Sequence, residues 1–264
     1  MQTVLFHDTI FGPIHSRRLG TSLGVNLTPV DGKVCTFDCL YCEAGYNAQG
    51  PGKTGLPSRE HVREELEKKL SGMRQRGENL DVITFSGNGE PTVHPDFAGV
   101  VDDTISLRDK YFPNVKISVL TNATQLHRPD VVAALRRVDN NILKLDSAID
   151  STVRALDRPT GKYSVATVVD QLAEFAGTGV IQTMFTRGTH DGKTVDNTTD
   201  AEIDALIEAY KRIRPASVMI YSIDRKTPEE SLQRVKPEEL QAIAARIQAA
   251  PHHPRLAPNP RRRP

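Results

Sequence analysis

Apolar positions alternate along the chain between short continuous runs and runs with helical spacing. In the clearest helical run, Arg59–Arg76, the residues Val62, Leu66, Leu70 and Met73 fall on one face, and Ser58 can cap the start. The other helices are predicted at Pro95–Tyr111, Asp130–Arg137, Ser164–Ala176, Asp200–Arg212 and Pro237–Ala249. Six strands are predicted at Gly24–Val30, Asp81–Ser86, Lys116–Leu120, Ile142–Asp146, Ile181–Thr186 and Ser217–Ile223.

This alternation of six strands with helices predicts an α/β fold with a parallel sheet covered by helices. A doubly wound sheet and a barrel both fit the pattern. In either arrangement the chemistry lies on the loops that follow the carboxyl ends of the strands. The residues that close each strand are therefore the first candidates for a functional site.

Composition excludes several classes of protein. Apolar residues make up 38% of the 264 residues, which is ordinary for a globular protein and excludes collagen-like or wholly disordered chains. No run of about 18 apolar residues predicts a membrane span, and the amino-terminal stretch does not read as a secretory signal. We therefore expect a cytoplasmic protein.

The carboxyl-terminal stretch Pro251–Pro264 differs from the rest of the chain. It is rich in proline, carries four arginines and has no acidic residue, whereas the remainder has 30 basic and 33 acidic residues. We expect one domain over residues 1–250 and an arm without regular structure over residues 251–264. The slightly acidic domain lacks the overall basic charge that is usual for nucleic-acid binding.

All three cysteines of the chain, Cys35, Cys39 and Cys42, lie within eight residues with the spacing C-x3-C-x2-C. Thiolates this close can converge on one soft metal centre. A zinc site would need a distant fourth ligand, for which His15 is the nearest upstream histidine. A [4Fe–4S] cluster ordinarily takes four cysteines, so three would leave one iron open to another ligand. Redox-active thiols, or buried cysteines without a chemical role, are further alternatives.

The segment from Cys35 to Cys42, with Tyr41 before the last cysteine, resembles the signature of the radical S-adenosylmethionine (SAM) superfamily. The resemblance implies a partial (βα)6 barrel of the TIM type, with a [4Fe–4S] cluster held by Cys35, Cys39 and Cys42. SAM would bind the open iron, and the backbone at Tyr41 would contact its adenine.

A glycine-rich loop follows the second predicted strand, and on its own it would indicate only a tight turn. Its sequence, Gly87-Asn88-Gly89-Glu90, resembles the Gly-Gly-Glu motif that holds the amino group of SAM in this superfamily, although Asn88 separates the two glycines. The resemblance assigns these four residues to the methionine end of SAM.

Polar residues also close the next two strands. One strand ends in Thr121 and Asn122, and the next ends in Lys144 and Asp146. These residues either form caps and turns or, as the resemblance implies, contact the ribose and carboxylate of SAM. Lys144 and Asp146 share one face of their strand, so both lie inside or both lie outside. Arg158, Arg187 and the pair Arg17–Arg18 are candidates for binding an anionic substrate. No residue is assigned as catalytic.

Motifs along most of the chain are similar to those of short radical SAM proteins related to the wyosine synthases, although this chain lacks cysteines for a second cluster. Together with the motifs above, this similarity rests on three further segments, Phe11-Gly12-Pro13, Ser16–Gly20 and Arg158-Pro159. It implies an oxidoreductase or lyase that cleaves SAM to a 5′-deoxyadenosyl radical, which abstracts hydrogen from a nucleoside or tRNA, a small molecule or a peptide. A flavodoxin- or ferredoxin-like protein would supply the electron. The alternatives are an activase of glycyl-radical enzymes and a non-catalytic zinc or iron–sulfur binding protein.

Overall fold

The computed structural model describes residues 4–16, 19–250 and 255–256, which form ten strands and seven α-helices. The strands are β1 (Ile10–Ser16), β2 (Gly20–Val25), β3 (Val82–Phe85), β4 (Lys116–Thr121), β5 (Asn140–Lys144), β6 (Val180–His190), β7 (Lys193–Asp196), β8 (Ser217–Ser222), β9 (Gln233–Arg234) and β10 (Arg255–Leu256). The helices are α1 (Arg59–Gln75), α2 (Phe97–Tyr111), α3 (Pro129–Leu135), α4 (Asp150–Leu156), α5 (Val165–Ala173), α6 (Asp200–Ile213) and α7 (Pro237–Ala249).

One sheet organises the molecule, with the order β1-β2-β3-β4-β5-β6-β8-β10. The six strands from β2 to β6 and β8 run parallel, and each is followed by at least one helix, which confirms the six predicted strand–helix units. Val25 pairs with Phe85, and Phe85 pairs with Val119, so the carboxyl ends of neighbouring strands stay level. The loops that carry candidate chemistry therefore leave the sheet at one edge.

The core lies between this sheet and the helices, and α1 shows how the sequence directs it. The side-chain oxygen of Ser58 accepts a hydrogen bond from the backbone nitrogen of His61 at 3.2 Å, which caps the helix as predicted. Val62, Leu66, Leu70 and Met73 are buried against the sheet side of the helix. Burial of each such side chain contributes about 1.5–3 kcal/mol relative to exposure.

The first strand is the main difference from the predicted elements. The apolar run predicts a strand over Gly24–Val30, but β2 begins at Gly20 and ends at Val25. The side-chain oxygen of Asn26 accepts hydrogen bonds from the backbone and hydroxyl of Thr28, and this local turn replaces the sheet ladder. The antiparallel strand β1 and helix α4 lack a clear periodic pattern and were not predicted.

The carboxyl-terminal stretch after the predicted domain contains one short strand, β10. Arg255 and Leu256 pair in parallel with β8, so the expectation of an arm without regular structure is wrong for these two residues. The other residues of Pro251–Pro264, and Arg17–Arg18, lie outside the described residues. Among the described helices, none is both long and apolar enough to cross a membrane.

Candidate cofactor site at the carboxyl end of the sheet

The three cysteines lie on the long loop between β2 and α1, which we call the Cys loop (residues 26–58). Two neighbouring segments hold it. On one side, Gly89 forms a parallel bridge with Val34, and the backbone nitrogen of Glu90 donates to the Val34 carbonyl at 3.0 Å. This contact fixes the start of the cysteine motif against the glycine-rich loop after β3.

The second contact of the Cys loop is with residues 156–160, which comprise the last residue of α4 and the four residues after it. The backbone nitrogen of Leu40 donates to the Leu156 carbonyl at 3.0 Å, and that of Thr160 donates to the Thr36 carbonyl at 3.0 Å. The motif is therefore held between two backbone segments from different parts of the sheet.

All three cysteines are free thiols. Cys39 is buried, whereas Cys35 and Cys42 are partly exposed. Burial raises the pKa of Cys35 to about 12, and burial raises the pKa of Cys39 well above its ordinary value. Such thiols stay protonated until a bound metal displaces the proton, and soft sulfur donors suit an iron–sulfur centre.

Among the described residues, no group of three or more His, Cys, Asp or Glu side chains is placed to hold one metal ion. Each cysteine of a [4Fe–4S] cluster binds a different iron, so that kind of centre does not require the three sulfur atoms to meet at one point. The donor set of three thiols fits such a cluster with one iron left without a thiolate.

Lys33 and Asn122 stand beside these thiols. Lys33 is buried, and although burial favours its neutral amine, the thiolate forms of the three cysteines and the Asp38 carboxylate raise its pKa. The Asn122 side-chain nitrogen lies 3.7 Å from the Cys35 sulfur and donates to the Thr36 hydroxyl at 2.9 Å. Asn122 is thus directed at the Cys loop from the end of β4.

The glycines of the loop after β3 permit close approach to two other segments. A Cβ on Gly87 would lie 2.2 Å from the side-chain oxygen of Asn26, and one on Gly89 would lie 1.8 Å from the carbonyl oxygen of Val34. Both distances are too short for any side chain. The glycines therefore make the contact between this loop and the Cys loop possible.

Asn88, the residue that interrupts the glycine pair, is fully buried. Its amide nitrogen donates to the carbonyls of Phe6 at 2.8 Å and Pro29 at 2.9 Å, and its oxygen accepts from the Phe6 backbone nitrogen at 2.8 Å. The backbone nitrogen of Asn88 donates to the Asn26 Oδ1 at 3.2 Å. The amide group and the backbone nitrogen are thus occupied by the protein itself, and the predicted SAM contact of Asn88 is left to its backbone carbonyl.

Glu90 is buried at the end of the same loop. Its Oε1 accepts from the Thr92 backbone at 3.1 Å, the Thr92 hydroxyl at 2.5 Å and the Thr121 hydroxyl at 2.6 Å, and its Oε2 accepts from the Asn122 backbone nitrogen at 2.7 Å. Burial raises the pKa of Glu90, and these hydrogen bonds oppose the rise. With one bond from the described residues, Oε2 keeps capacity to accept from an ammonium group.

Of the two predicted alternatives for Thr121, a turn or a contact to SAM, the described contacts show the turn, in which the Thr121 hydroxyl accepts from the Ala123 backbone nitrogen at 3.1 Å. The same hydroxyl is directed at Glu90 and also lies 3.5 Å from the Thr92 hydroxyl. Together with the backbone nitrogen of Asn122, it fixes the carboxylate of Glu90. The strand end orients a candidate ligand of SAM.

Next to Cys39, the buried carboxylates of Asp146 and Asp157 form a network with the partly buried side chains of Tyr41 and Lys144. Lys144 pairs with Asp146 and lies 3.2 Å from Asp157, and the Tyr41 hydroxyl donates to Asp146 and lies 3.1 Å from Asp157. The structure places both Lys144 and Asp146 inside, as one of the two predicted alternatives. Burial, opposed by Lys144 and reinforced by Asp146, raises the pKa of Asp157 to about 7.

The network joins three parts of the fold. The Asp146 Oδ1 accepts from the Met184 backbone nitrogen of β6 at 2.8 Å, so the same carboxylate reaches the next strand. Although burial disfavours the charge of Lys144, the two carboxylates raise its pKa well above its ordinary value. A charged lysine between two buried carboxylates holds the Cys loop against β5 and the end of α4.

A cavity of about 430 Å³ opens beside Cys42, a volume typical of small-molecule sites. It is lined by residues 14–16 of β1, residues 41–43 of the Cys loop, Met184 of β6, and residues 221–225 and Thr227 after β8. Its walls come from both edges of the row of parallel strands. A substrate held there would lie next to the cysteine motif.

Two residues of the site were missed by sequence reasoning. Lys33 precedes the cysteine motif by two positions, but an isolated lysine in a loop carries no pattern. Asp157 follows a helix whose apolar residues were too few to predict, although the segment with Arg158 was noted. Arg158 itself lies 3.5 Å from Asp38, and Arg187 is paired with Glu239.

The fold is that of an α/β protein with a parallel sheet. Three thiols on the first loop of this sheet can bind a cofactor, and the buried glutamate on the second loop can bind a cationic ligand beside it. The family profile of the radical SAM superfamily matches residues 30–200. The chain belongs to the radical SAM superfamily. Enzymes of this superfamily bind a [4Fe–4S] cluster and SAM, and these are the cofactors of the chain.

Curated relatives are similar over most of this chain. A protein named GTPase Obg from Brachyspira hyodysenteriae is 27% identical over 88% of the chain, and a UPF0026 protein from Helicobacter pylori is 27% identical over 82%. A UPF0026 protein from Methanocaldococcus jannaschii is 26% identical over 89%. The chain spans 32% of the length of the first, 66% of the second and 70% of the third.

Solved structures share the fold at low identity. A radical SAM methyltransferase from Sphaerobacter thermophilus has a TM-score of 0.64 at 15% identity, covering 89% of this chain and 64% of that one. SuiB of Streptococcus suis, bound to its precursor peptide, has a TM-score of 0.61 at 13% identity, covering 88% and 48%. The enzyme anSMEcpe with bound AdoMet has a TM-score of 0.57 at 14% identity, covering 85% and 60%. The fold is thus the partial (βα)6 barrel of this superfamily.

Proposed function

We propose that the chain is a radical SAM enzyme that removes a hydrogen atom from a substrate bound in the cavity beside Cys42. The arrangement that carries this proposal is the cysteine motif held between the Gly87–Glu90 loop and residues 156–160. It supports one cofactor at the thiols and a second at the glutamate.

The residues for each cofactor follow from the donor groups. Cys35, Cys39 and Cys42 would bind three irons, and the Oε2 of Glu90 would accept from the ammonium of SAM. When bound, these groups would supply one-electron chemistry, in which reduction of SAM yields methionine and a 5′-deoxyadenosyl radical. The electron comes from an external one-electron donor of the flavodoxin or ferredoxin type.

The protein's own side chains orient and shield this chemistry. Thr121 and Asn122 keep the Glu90 carboxylate in place, and the Tyr41–Lys144–Asp146–Asp157 network keeps the Cys loop against β5. Polar groups that are hydrogen-bonded to one another away from water hold their geometry, because a rearrangement leaves one of them unpaired. Substrate classes to be searched are nucleosides including tRNA, small molecules and peptides. The relation to wyosine synthases and the cytoplasmic location stay predictions.

The experiment is anaerobic reconstitution with iron and sulfide, reduction with dithionite, addition of SAM, and detection of 5′-deoxyadenosine. We expect Cys39→Ala to lower product formation by about 100-fold or more, because a thiolate ligand is lost. Val195→Ala is the matched control, since Val195 is buried in the small apolar cluster that also contains Leu40. The Val195→Ala variant should keep the iron–sulfur cluster.

Two results would contradict the proposal. One is a wild-type protein that binds zinc stoichiometrically and holds no iron–sulfur cluster, which would favour a binding protein. The other is equal product from Cys39→Ala and wild type. Formation of a glycyl radical on a partner enzyme would assign the activase role instead.

A further inference from the structure

Lys33 places an ammonium group in the interior of the Cys loop. The residue is 4% exposed, and its Nζ donates to the Gly45 carbonyl at 2.7 Å. Lysine is among the residues least often fully buried, because removing its charge from water is costly unless partners compensate. A neutral carbonyl compensates only part of that cost.

The one carboxylate near Lys33 among the described residues is shared with a second cation. Asp38 Oδ1 lies 3.5 Å from the Lys33 Nζ, and its Oδ2 lies 3.5 Å from the Arg158 guanidinium. Oδ1 also accepts from the Asn47 backbone nitrogen at 2.6 Å. One negative charge thus faces two positive charges, so Lys33, Asp38 and Arg158 together carry about one net positive charge.

Lys144, the other lysine beside the motif, is in the opposite situation. It lies between two carboxylates, Asp146 and Asp157, so that group carries no excess positive charge. Lys33 is therefore the lysine whose charge is available to act on whatever the three thiols hold. Both lysines lie in surroundings of low polarity, where charges interact more strongly than in water.

We propose that Lys33 stabilises the reduced form of the cluster held by the three cysteines and so raises its reduction potential. This rests on the proposed function. Reduction adds one electron from the external donor to a group already bound by three thiolates, and no bond forms or breaks. Net charge around the cysteine ligands is one of the factors that set such potentials.

The test is a potentiometric titration of the reconstituted wild type and variants, followed by electron paramagnetic resonance of the reduced cluster. Lys33→Gln keeps an N–H donor and removes the charge, and we expect a tenfold less favourable reduction, which is about 59 mV for one electron. Lys33→Arg keeps the charge and should stay near wild type. Lys68→Gln, on the exposed face of α1, is the control for loss of a lysine charge elsewhere.

Asp38→Asn tests the opposite change in charge, and it remains informative if the Lys33→Gln variant does not bind a cluster. It removes the shared carboxylate, so we expect a higher potential. Unchanged potentials in both Lys33→Gln and Asp38→Asn overturn the proposal. So does a lower cluster content with an unchanged potential in Lys33→Gln, which would mean that Lys33 only tethers Gly45. In either case the wild type still holds a cluster and forms 5′-deoxyadenosine, whereas failure of the wild type to do so overturns the proposed function as well.

Discussion

Asn88 differs from the residue expected at its position in the superfamily motif, and its contacts explain what it does there. Its amide group joins the segment before β1, through Phe6, to the start of the Cys loop at Pro29. A carboxylate would instead face the two carbonyls to which this amide nitrogen donates. We expect Asn88→Asp to lower the free energy of unfolding by about 2–4 kcal/mol.

The measurement is chemical denaturation of the protein purified without cofactors, so that ligand binding does not contribute. Asn114→Asp is the matched control, because Asn114 is exposed in the turn before β4 and should change stability by less than about 0.5 kcal/mol. If Asn88→Asp unfolds like wild type but binds SAM poorly, the amide is a direct ligand of SAM.

At the scale of elements, the position of the Cys loop depends on its contact with the glycine-rich loop. Gly89 forms a parallel bridge with Val34. A Cβ added to Gly89 would lie 1.8 Å from the carbonyl oxygen and 2.6 Å from the carbonyl carbon of Val34. A methyl group there forces the two loops apart, because backbone atoms cannot turn away as a flexible side chain can. We expect Gly89→Ala to fold but to retain less than about a tenth of the wild-type iron and sulfide.

Iron and sulfide analysis after reconstitution checks this expectation, with circular dichroism to verify the fold. Gly161→Ala is the control, since a Cβ at Gly161 meets nothing within 4 Å. Full cluster content in Gly89→Ala would mean that the loop contact does not position the cysteines.

The regular elements were predictable because the helices have a periodic apolar face and the parallel strands are short continuous apolar runs. Helix α1 and strands β3 to β6 and β8 were found within a few residues, and the parallel order followed from their alternation with helices. The end of β2 could not be predicted, because the turn at Asn26 depends on a side-chain hydrogen bond that an apolar run does not encode.

The candidate site was predictable only where local spacing carries the chemistry. The three cysteines and Glu90 follow from motifs, whereas Asp157 acts through a contact with Tyr41, 116 positions away, and Lys33 acts through contacts within an irregular loop. The structural role of Asn88 depends on Phe6, 82 positions away. Such pairings arise from the way in which the parallel sheet brings its loops together, and no short stretch of sequence contains them.

For the whole molecule, the consequence is that one ligand should stabilise several loops together. The Cys loop, the Gly87–Glu90 loop, the end of β4 and the end of β5 belong to four successive strand–helix units, and hydrogen bonds already connect them in pairs. SAM bound between the thiols and Glu90 would add contacts at the same edge. The turns at the opposite edge, residues 77–81 and 112–115, share none of these contacts.

Hydrogen–deuterium exchange of the cluster-loaded protein, with and without SAM, tests this arrangement. We expect SAM to slow exchange by about tenfold or more in residues 33–45, 86–92 and 121–124, because each local opening must then break contacts to the ligand. Exchange in residues 77–81 and 112–115 should not change. Cys39→Ala, which loses a thiolate of the site, should show much weaker protection by SAM. Protection restricted to α7, or spread evenly over both edges of the sheet, would contradict a SAM site built from these loops.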